Sequence, residues 1–262
     1  MKKYDFKDQV VMISGAAGQL GQTFVNGVIE GGGRVIGLDL SLKGLIKVSK
    51  ENNWDDEQVC LLEADIRNRD EVIKSFEAGI DRFGKVSSQI NNAGLSVFEP
   101  WSERSEEEID LVMDVNLKGT FNCLQVFLKY CISNDLEGAI VNIASHYGIV
   151  SPDPRIYTDC ARRSPEIYGA SKAGVIQMTK YFAVNAPHDG AKVRVNAVAP
   201  GGIRNPWDPQ GEDFQRLYGD RCPMGRMAEL AEILGPVLFL LSPEASYING
   251  HTLVVDGGVT AW

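Results

Sequence analysis

Short apolar runs rich in β-branched residues alternate along this chain with longer segments of helical periodicity. This alternation predicts βαβ units, in which helices cover both faces of a parallel sheet. We expect one α/β domain over residues 1–262, a doubly wound, mostly parallel, seven-stranded sheet with helices on both faces. The predicted strands are Val10–Ser14, Arg34–Asp39, Gln58–Glu63, Ser88–Asn91, Gly138–Ile143, Val193–Ala197 and Thr252–Val255. The predicted helices lie near residues 19–31, 69–83, 105–113, 116–133, 167–185 and 228–241.

Two proline-bearing segments interrupt this alternation, at residues 151–166 and 201–224. Proline disfavours the interiors of helices and strands, so both segments are predicted to be loops. Each follows a strand at the edge of the sheet where ligands bind in open parallel sheets. We therefore interpret 151–166 as a loop insert and 201–227 as a substrate-loop region.

Charge and composition exclude several classes of function. The net charge of −9 disfavours general nucleic-acid binding, and no apolar run approaches the ~18 residues that a membrane span needs. The five cysteines are scattered and form no Cys-x-x-Cys pair, so neither a disulfide framework nor a metal site is predicted. We expect a cytoplasmic protein that binds no metal, no nucleic acid and no membrane.

The first predicted strand runs into a glycine-rich turn and then a helix. Gly15, Gly18 and Gly21 allow a tight turn through which a pyrophosphate can approach the helix N-terminus. Asp39 ends the second strand, where a carboxylate can bind ribose hydroxyls and repel a 2′-phosphate. No basic residue follows immediately, since Leu40 and Ser41 come next, so NAD is favoured over NADP. The alternatives for Asp39 are a helix N-cap or a solvated strand end.

Tyr168 and Lys172 are four residues apart on a predicted helix and therefore share one face. A nearby ammonium favours the phenolate and is expected to lower the pKa of the Tyr168 phenol. Such a phenol can exchange a proton with an alcohol or a carbonyl near neutral pH.

Ordered motifs over residues 7–260 resemble the short-chain dehydrogenase/reductase family. They are Ser14-Gly15 to Gly21, Ala64-Asp65, Asn91-Asn92-Ala93-Gly94, Asn116 in Val-Asn-Leu-Lys-Gly, Ser145 in Asn-Ile-Ala-Ser, Tyr168 with Lys172, Pro200-Gly201 and Asp256-Gly257-Gly258. The resemblance implies a Rossmann-like fold and hydride transfer between a nicotinamide cofactor and a secondary alcohol or ketone.

The resemblance also assigns roles to individual residues. Tyr168 would be the acid/base, Ser145 would bind the substrate oxygen, Lys172 would hold the ribose, and Asn116 would hold a water in a proton relay. The Asp65 carboxylate would meet the adenine amino group, and Ile66 would lie beside the ring. The expected cofactor contacts are Ser14, Gly15, Gln19, Leu20, Gly21, Asp39, Leu40, Asp65, Ile66, Asn92, Ala93, Gly94, Tyr168, Lys172, Pro200, Gly201 and Ile203.

The chain departs from the family pattern in three places. Gln19 occupies the position of the middle glycine in the usual Gly-x-x-x-Gly-x-Gly turn. Ser145 and Tyr168 are 23 positions apart, wider than is usual, because of the loop insert. Asn205 stands where a threonine often binds the nicotinamide carboxamide.

The substrate is less well determined by the sequence. The run from Ser145 to Tyr157 and the ending at residues 256–262 resemble family members linked to surface-polysaccharide or flagellin-glycan sugars. The loop insert also carries arginines, whose guanidinium groups bind carboxylate or phosphate, and this suggests an anionic sugar or nucleotide sugar. The alternative for the arginines is a solvated loop that pairs with surface acids. The three arginines of the insert are Arg155, Arg162 and Arg163.

Other functions and assemblies stay open. A lyase or epimerase that uses NAD transiently is one alternative, and a non-catalytic NAD-binding sensor is another. His146 follows Ser145, but strand alternation does not decide whether its side chain faces the substrate. The resemblance implies a homotetramer, with helices 105–133 and 167–185 at its interfaces, and sequence alone does not distinguish it from a homodimer.

Overall fold

The computed structural model describes residues 4–158, 165–205 and 210–262. Its single sheet contains seven parallel strands in the order β3-β2-β1-β4-β5-β6-β7. The predicted α/β fold class is confirmed. The strands are β1 (Val10–Ser14), β2 (Arg34–Asp39), β3 (Val59–Glu63), β4 (Ser88–Asn91), β5 (Glu137–Ile143), β6 (Lys192–Pro200) and β7 (Thr252–Val255).

Helices cover both faces of this sheet. They are α1 (Gln19–Glu30), α2 (Leu42–Asn52), α3 (Arg69–Phe83), α4 (Glu106–Met113), α5 (Thr120–Ser133), α6 (Glu166–His188), α7 (Glu212–Arg221) and α8 (Leu230–Leu241). Alternate β1 residues enter two separate cores, as side chains of a strand buried on both faces must. Val11 and Ile13 pack with α1 and α8, and Val10 and Met12 pack with α3 and α5.

The order of the strands reverses between β1 and β4, so their carboxyl ends border a crevice. Ser14 and Asn91, the last residues of these two strands, lie side by side in the sheet. A crevice of this kind is where open α/β sheets bind ligands. The loops after β1, β4, β5 and β6 therefore supply the candidate site.

Two helices were not predicted. Ser41 caps the N-terminus of α2, and its hydroxyl accepts a hydrogen bond from the Gly44 backbone N–H at 3.0 Å. α7 lies within residues 201–224, where a loop was predicted, so that prediction is wrong for this part of the segment. Its apolar residues Phe214, Leu217 and Tyr218 recur at helical spacing and pack against Tyr157.

The loop insert is anchored to α7. Tyr157 and Ile156 are buried in a small core together with Tyr218, and the Phe214 ring lies 5.2 Å from that of Tyr157. Among residues 151–158 the only helical turn is short, at Pro154–Ile156. The predicted loop residues Cys160, Arg162, Arg163 and Trp207 lie outside the described residues.

Candidate active site

The turn after β1 is built around glycines that no other residue could replace without movement. Gly15 has a φ of +67°, and a Cβ there would lie 2.8 Å from the Ala93 Cα. A Cβ at Gly21 would overlap the Gly15 carbonyl oxygen. Gly18 precedes α1 and offers no side chain to cap it, so the first-turn N–H groups can receive a phosphate. This cradle fits a dinucleotide pyrophosphate.

Gln19, which replaces a family glycine, ties this turn to the loop after β6. Its Nε2 donates to the Arg204 carbonyl oxygen at 3.2 Å. The departure from the usual glycine pattern therefore adds a contact between the cofactor turn and the substrate-loop region.

Asp39 supports the same turn from the end of β2. Its Oδ2 accepts a hydrogen bond from the Ala17 backbone N–H at 3.1 Å, and its Oδ1 accepts one from the Ser41 N–H at 3.3 Å. Because Ser41 is the N-cap of α2, the alternative of Asp39 as a helix N-cap is wrong.

Asp65 has a partner that the sequence analysis missed. The Arg67 guanidinium donates to its carboxylate, with Nη2 2.6 Å from Oδ2, and these hydrogen bonds lower the pKa of Asp65. Arg67 therefore competes with an adenine amino group for this carboxylate. The Asp-x-Arg spacing is the sequence signal that could have indicated it.

The segment after β4 is held against the glycine turn by polar side chains. Ser14 Oγ accepts hydrogen bonds from the backbone N–H groups of Asn92 and Ala93, both at 3.1 Å. Asn92 Nδ2 donates to the carbonyls of Ser14 and Gly15. Ser14 is buried, so its role in this structure is to position the two loops rather than to face the crevice.

Asn116 lies in a single π-helical turn, Asp114–Gly119, between α4 and α5. Its side chain is fully buried, and both polar ends are bonded to protein. Oδ1 accepts from the Leu95 N–H at 2.8 Å, while Nδ2 donates to the Leu95 carbonyl and to Ser171 Oγ, each at 3.0 Å. These contacts link the loop after β4 to α6, the helix that carries Tyr168.

Lys172 and Tyr168 meet at the base of the crevice. Lys172 Nζ lies 5.6 Å from the centroid of the Tyr168 ring and donates to the Ile143 carbonyl at 2.8 Å. Burial lowers the pKa of Lys172 to about 8. Burial also raises the pKa of Tyr168, although a hydrogen bond with Ser145 opposes that rise. The expected lowering of the Tyr168 pKa is therefore not found in this structure, because desolvation outweighs the hydrogen bond with Ser145.

Two cavities adjoin at this point. The first, of about 470 Å³, follows the glycine turn, and the second, of about 720 Å³, opens toward α7 and the loop insert. Of the residues expected to contact a cofactor, Ser14 and Gly21 lie behind the surface of the first cavity. Those that line it are Gly15, Gln19, Leu20, Asp39, Leu40, Asp65, Ile66, Asn92, Ala93, Gly94, Tyr168, Lys172, Pro200, Gly201 and Ile203. We call the first the cofactor cavity and the second the substrate cavity.

Ser145 and Tyr168 line both cavities and so lie at their junction. The wall of the substrate cavity includes residues that the sequence analysis did not assign to it. Tyr218 accepts a hydrogen bond from the Gly202 N–H at 2.6 Å, and Phe214 lies one turn before it. Their i, i+4 spacing was the available signal, hidden within a segment predicted to be a loop.

The insert does not bring Arg155 into the substrate cavity. Arg155 donates through Nε and Nη2 to the Asp153 carboxylate, and its side chain is 78% exposed. Arg221 of α7 also pairs with Asp153, and the hydrogen bonds from Arg155 lower the pKa of Asp153 to about 2. For Arg155 the solvated-loop alternative is therefore the correct one.

Neither a metal site nor a membrane span is found in the part of the chain that the structure describes. Residues 4–158, 165–205 and 210–262 contain no group of three or more His, Cys, Asp or Glu that could hold a metal ion. Within the same ranges, no helix has the length and hydrophobicity to cross a bilayer.

Comparison with known proteins agrees with the fold. A family model described as enoyl-(acyl carrier protein) reductase matches residues 15–260. The chain belongs to the short-chain dehydrogenase/reductase family of oxidoreductases.

Several relatives resemble the chain over almost its whole length. It is 34% identical to the 3-oxoacyl-[acyl-carrier-protein] reductase FabG of Thermotoga maritima, over 96% of this chain and 97% of that protein. It is 31% identical to the 2-dehydro-3-deoxy-D-gluconate 5-dehydrogenase of Escherichia coli, over 98% of each. A solved short-chain dehydrogenase from Leptospira borgpetersenii with bound NAD+ is 35% identical, with a TM-score of 0.86 over 98% of this chain and 94% of that one.

Proposed function

We propose that this protein is an NAD-dependent oxidoreductase that interconverts a secondary alcohol and a ketone. The observation that carries the proposal is the position of Tyr168 and Ser145 at the junction of the two cavities. A substrate in one cavity and a nicotinamide in the other would meet at these two hydroxyl groups. The test is whether the purified protein reduces NAD with secondary alcohols, and Tyr168→Phe does not.

In this proposal the protein supplies proton transfer and orientation. Bound nicotinamide supplies or accepts the hydride. The Tyr168 phenol exchanges a proton with the substrate oxygen, while the Ser145 hydroxyl holds that oxygen by a hydrogen bond. Lys172 would hold the nicotinamide ribose and take part in the proton balance of Tyr168, and burial lowers the pKa of Lys172 to about 8. Asn116 keeps the loop after β4 against α6.

We propose NAD as the cofactor because of the Asp39 carboxylate, which lines the cofactor cavity. The related structure from Leptospira borgpetersenii holds NAD+, which supports this choice. A 2′-phosphate near a carboxylate would be disfavoured by charge repulsion.

Asp39→Asn is expected to raise the ratio of kcat/KM with NADPH to kcat/KM with NADH by at least about tenfold. The asparagine keeps an oxygen for the Ala17 N–H and removes the charge. It gives up the acceptor of the Ser41 N–H, an exposed contact at 3.3 Å, so the turn next to α1 should be preserved. Initial rates with each cofactor measure the ratio. Glu30→Gln, at the exposed far end of α1, removes the same charge as a control. A preference for NADPH in the parent protein would contradict the assignment of Asp39.

A sugar or nucleotide sugar is our proposed substrate. The Escherichia coli relative is a 2-dehydro-3-deoxy-D-gluconate 5-dehydrogenase by name, which supports a sugar-derived alcohol as the substrate. The expectation of an anionic group depended on the insert arginines, and Arg155 is already paired with Asp153. Arg162 and Arg163 lie outside the described residues.

We also propose a homotetramer. α6 leaves Tyr181 and Val184 exposed, 57% and 73% respectively, on a surface that a second copy would cover. Light scattering of the purified protein is expected to give the mass of four chains, and Val184→Asp should shift it to smaller species. A monomeric parent protein would contradict the proposal.

A further inference from the structure

In the part of the chain that the structure describes, the wall of the substrate cavity is uncharged and includes several aromatic residues. No Asp, Glu, Lys or Arg side chain among those residues lines it. His146 is its one titratable imidazole, and burial lowers the pKa of that ring. A charged group would lose its hydration here without meeting an opposite charge from any residue that the structure describes, which is costly. Of the two proposed substrates, the cavity therefore favours an uncharged sugar over a nucleotide sugar, whose diphosphate is charged.

His146 is buried in this wall, with 3% of its surface exposed. Its Nδ1 lies 2.9 Å from the Pro200 carbonyl oxygen, on the strand that also borders the cofactor cavity. A carbonyl oxygen can only accept a hydrogen bond, so Nδ1 must carry the proton. In the neutral ring, Nε2 is then left with a lone pair and can only accept.

That lone pair has no partner within the part of the chain that the structure describes. His146 Nε2 makes no hydrogen bond to any described residue. Among the described residues, the unpaired polar atoms that are fully enclosed by protein belong to other side chains. They are Gln89 Oε1, Arg104 Nη1, Gln125 Oε1 and Thr252 Oγ1. Nε2 is therefore open to the cavity that His146 lines. An acceptor in this position is matched to a hydroxyl donor.

The neighbouring aromatic residues add a flat surface beside this acceptor. The Tyr147 ring lies 4.0 Å from the His146 ring, and the Tyr147 hydroxyl is 3.0 Å from that of Tyr157. Phe214 continues the wall from α7. Rings of this kind pack against the apolar face of a cyclic substrate, while the polar atoms at their rim fix its orientation.

We propose that His146 is a specificity-determining residue that accepts, through Nε2, a hydrogen bond from a second hydroxyl of an uncharged cyclic substrate. This inference rests on the proposed function, in which Ser145 binds the oxygen that reacts. Because His146 directly follows Ser145 and both line the same cavity, a vicinal diol is the simplest substrate of this kind to test.

A matched series of three alcohols tests the proposal. Cyclohexanol has the reacting hydroxyl alone, trans-cyclohexane-1,2-diol adds a second one, and trans-2-hydroxycyclohexane-1-carboxylate replaces it by a charge. In the parent protein, kcat/KM with NAD is expected to be about tenfold higher for the diol than for cyclohexanol, the value of one good hydrogen bond. The carboxylate should be the poorest substrate.

Two variants then assign the preference to one nitrogen. His146→Asn can keep the donor to Pro200 but does not reach the Nε2 position, so the diol-to-cyclohexanol ratio is expected to fall to near one. His146→Gln places an oxygen near that position and is expected to retain part of the ratio. His188→Asn, at the exposed end of α6, makes the same chemical change away from both cavities and should leave the ratio unchanged.

The outcomes separate this inference from the proposed function. Oxidation of cyclohexanol and the diol with equal kcat/KM by the parent protein would overturn the inference and leave the oxidoreductase proposal intact. A parental ratio that persists in His146→Asn, or that falls equally in His146→Gln, would overturn the assignment to Nε2. A higher kcat/KM for the carboxylate than for the diol would overturn the inference that the substrate is uncharged. Failure to oxidise any of the three would count against the proposed function and the inference together.

Discussion

Tyr168→Phe is expected to lower kcat by about 10²- to 10⁴-fold, the contribution typical of a positioned acid/base. The substitution removes only the phenol oxygen, which lies at the junction of the cofactor and substrate cavities. The ring remains beside Lys172, so the affinity for NAD should change little. Steady-state kinetics and a titration of NAD measure the two effects separately.

A tyrosine elsewhere on the same helix provides the control for this result. Tyr181→Phe makes the same change on the face of α6 proposed to meet a second copy, keeps the ring there, and should leave kcat unchanged. Residual activity of Tyr168→Phe within a few-fold of the parent would contradict the acid/base assignment. A large loss of NAD affinity would instead indicate that the ring positions the cofactor.

Lys172→Met is expected to abolish turnover while making the protein without cofactor more stable at neutral pH. Burial lowers the pKa of Lys172 from 10.5 to about 8, so its charge is held in the fold at a cost of up to about 3 kcal/mol. Lys172→Met removes this cost, but it also removes the hydrogen bond from Nζ to the Ile143 carbonyl, whose loss reduces the gain in stability by about 1 kcal/mol. The melting temperature at pH 7 should therefore rise by several degrees.

The pH dependence of this stability gain has a defined sign. Below pH 8 the lysine is protonated in both the folded and the unfolded state, so the cost is fully present. Between pH 8 and 10.5 the unfolded state binds more protons, so the parent protein gains stability as the pH rises. The advantage of Lys172→Met should shrink over that interval. Thermal unfolding across the pH range measures it, with the exposed Lys180→Met as control.

A lower melting temperature for Lys172→Met than for the parent at pH 7 would contradict this account. Retained turnover would remove Lys172 from the proposed proton balance. The two readouts are independent, since one concerns the cost of a buried charge and the other its use.

The sheet could be predicted from the sequence because its strands carry two local signals at once. β1, β2, β4 and β7 have the predicted bounds. β1, β2 and β7 are short apolar or β-branched runs that end at a turn or a polar residue, whereas β4 has a single apolar residue, Ile90. Helix α7 was not predicted, for a different reason. The apolar residues of α7 are few, and they are stabilised by contact with the insert, distant in sequence.

The glycine turn and the Tyr168–Lys172 pair could also be predicted, because fixed spacing on one turn or one helix face determines them. The electrostatics could not. The pKa values of Lys172 and Tyr168 depend on burial by segments far apart in sequence, and the sequence suggested the opposite direction for Tyr168. The orientation of His146 was likewise undecidable, because β5 ends at Ile143 and a short helical turn starts at His146 itself.

The most direct test of the central claim is the formation of reduced nicotinamide by the purified protein with NAD and a panel of secondary alcohols, sugars and nucleotide sugars. We predict that the absorbance band of NADH appears with at least one member, that NADP supports a slower reaction, and that Tyr168→Phe removes the signal. Tight binding of NAD with no reduction by any member would contradict an alcohol oxidoreductase and would favour transient oxidation or sensing instead.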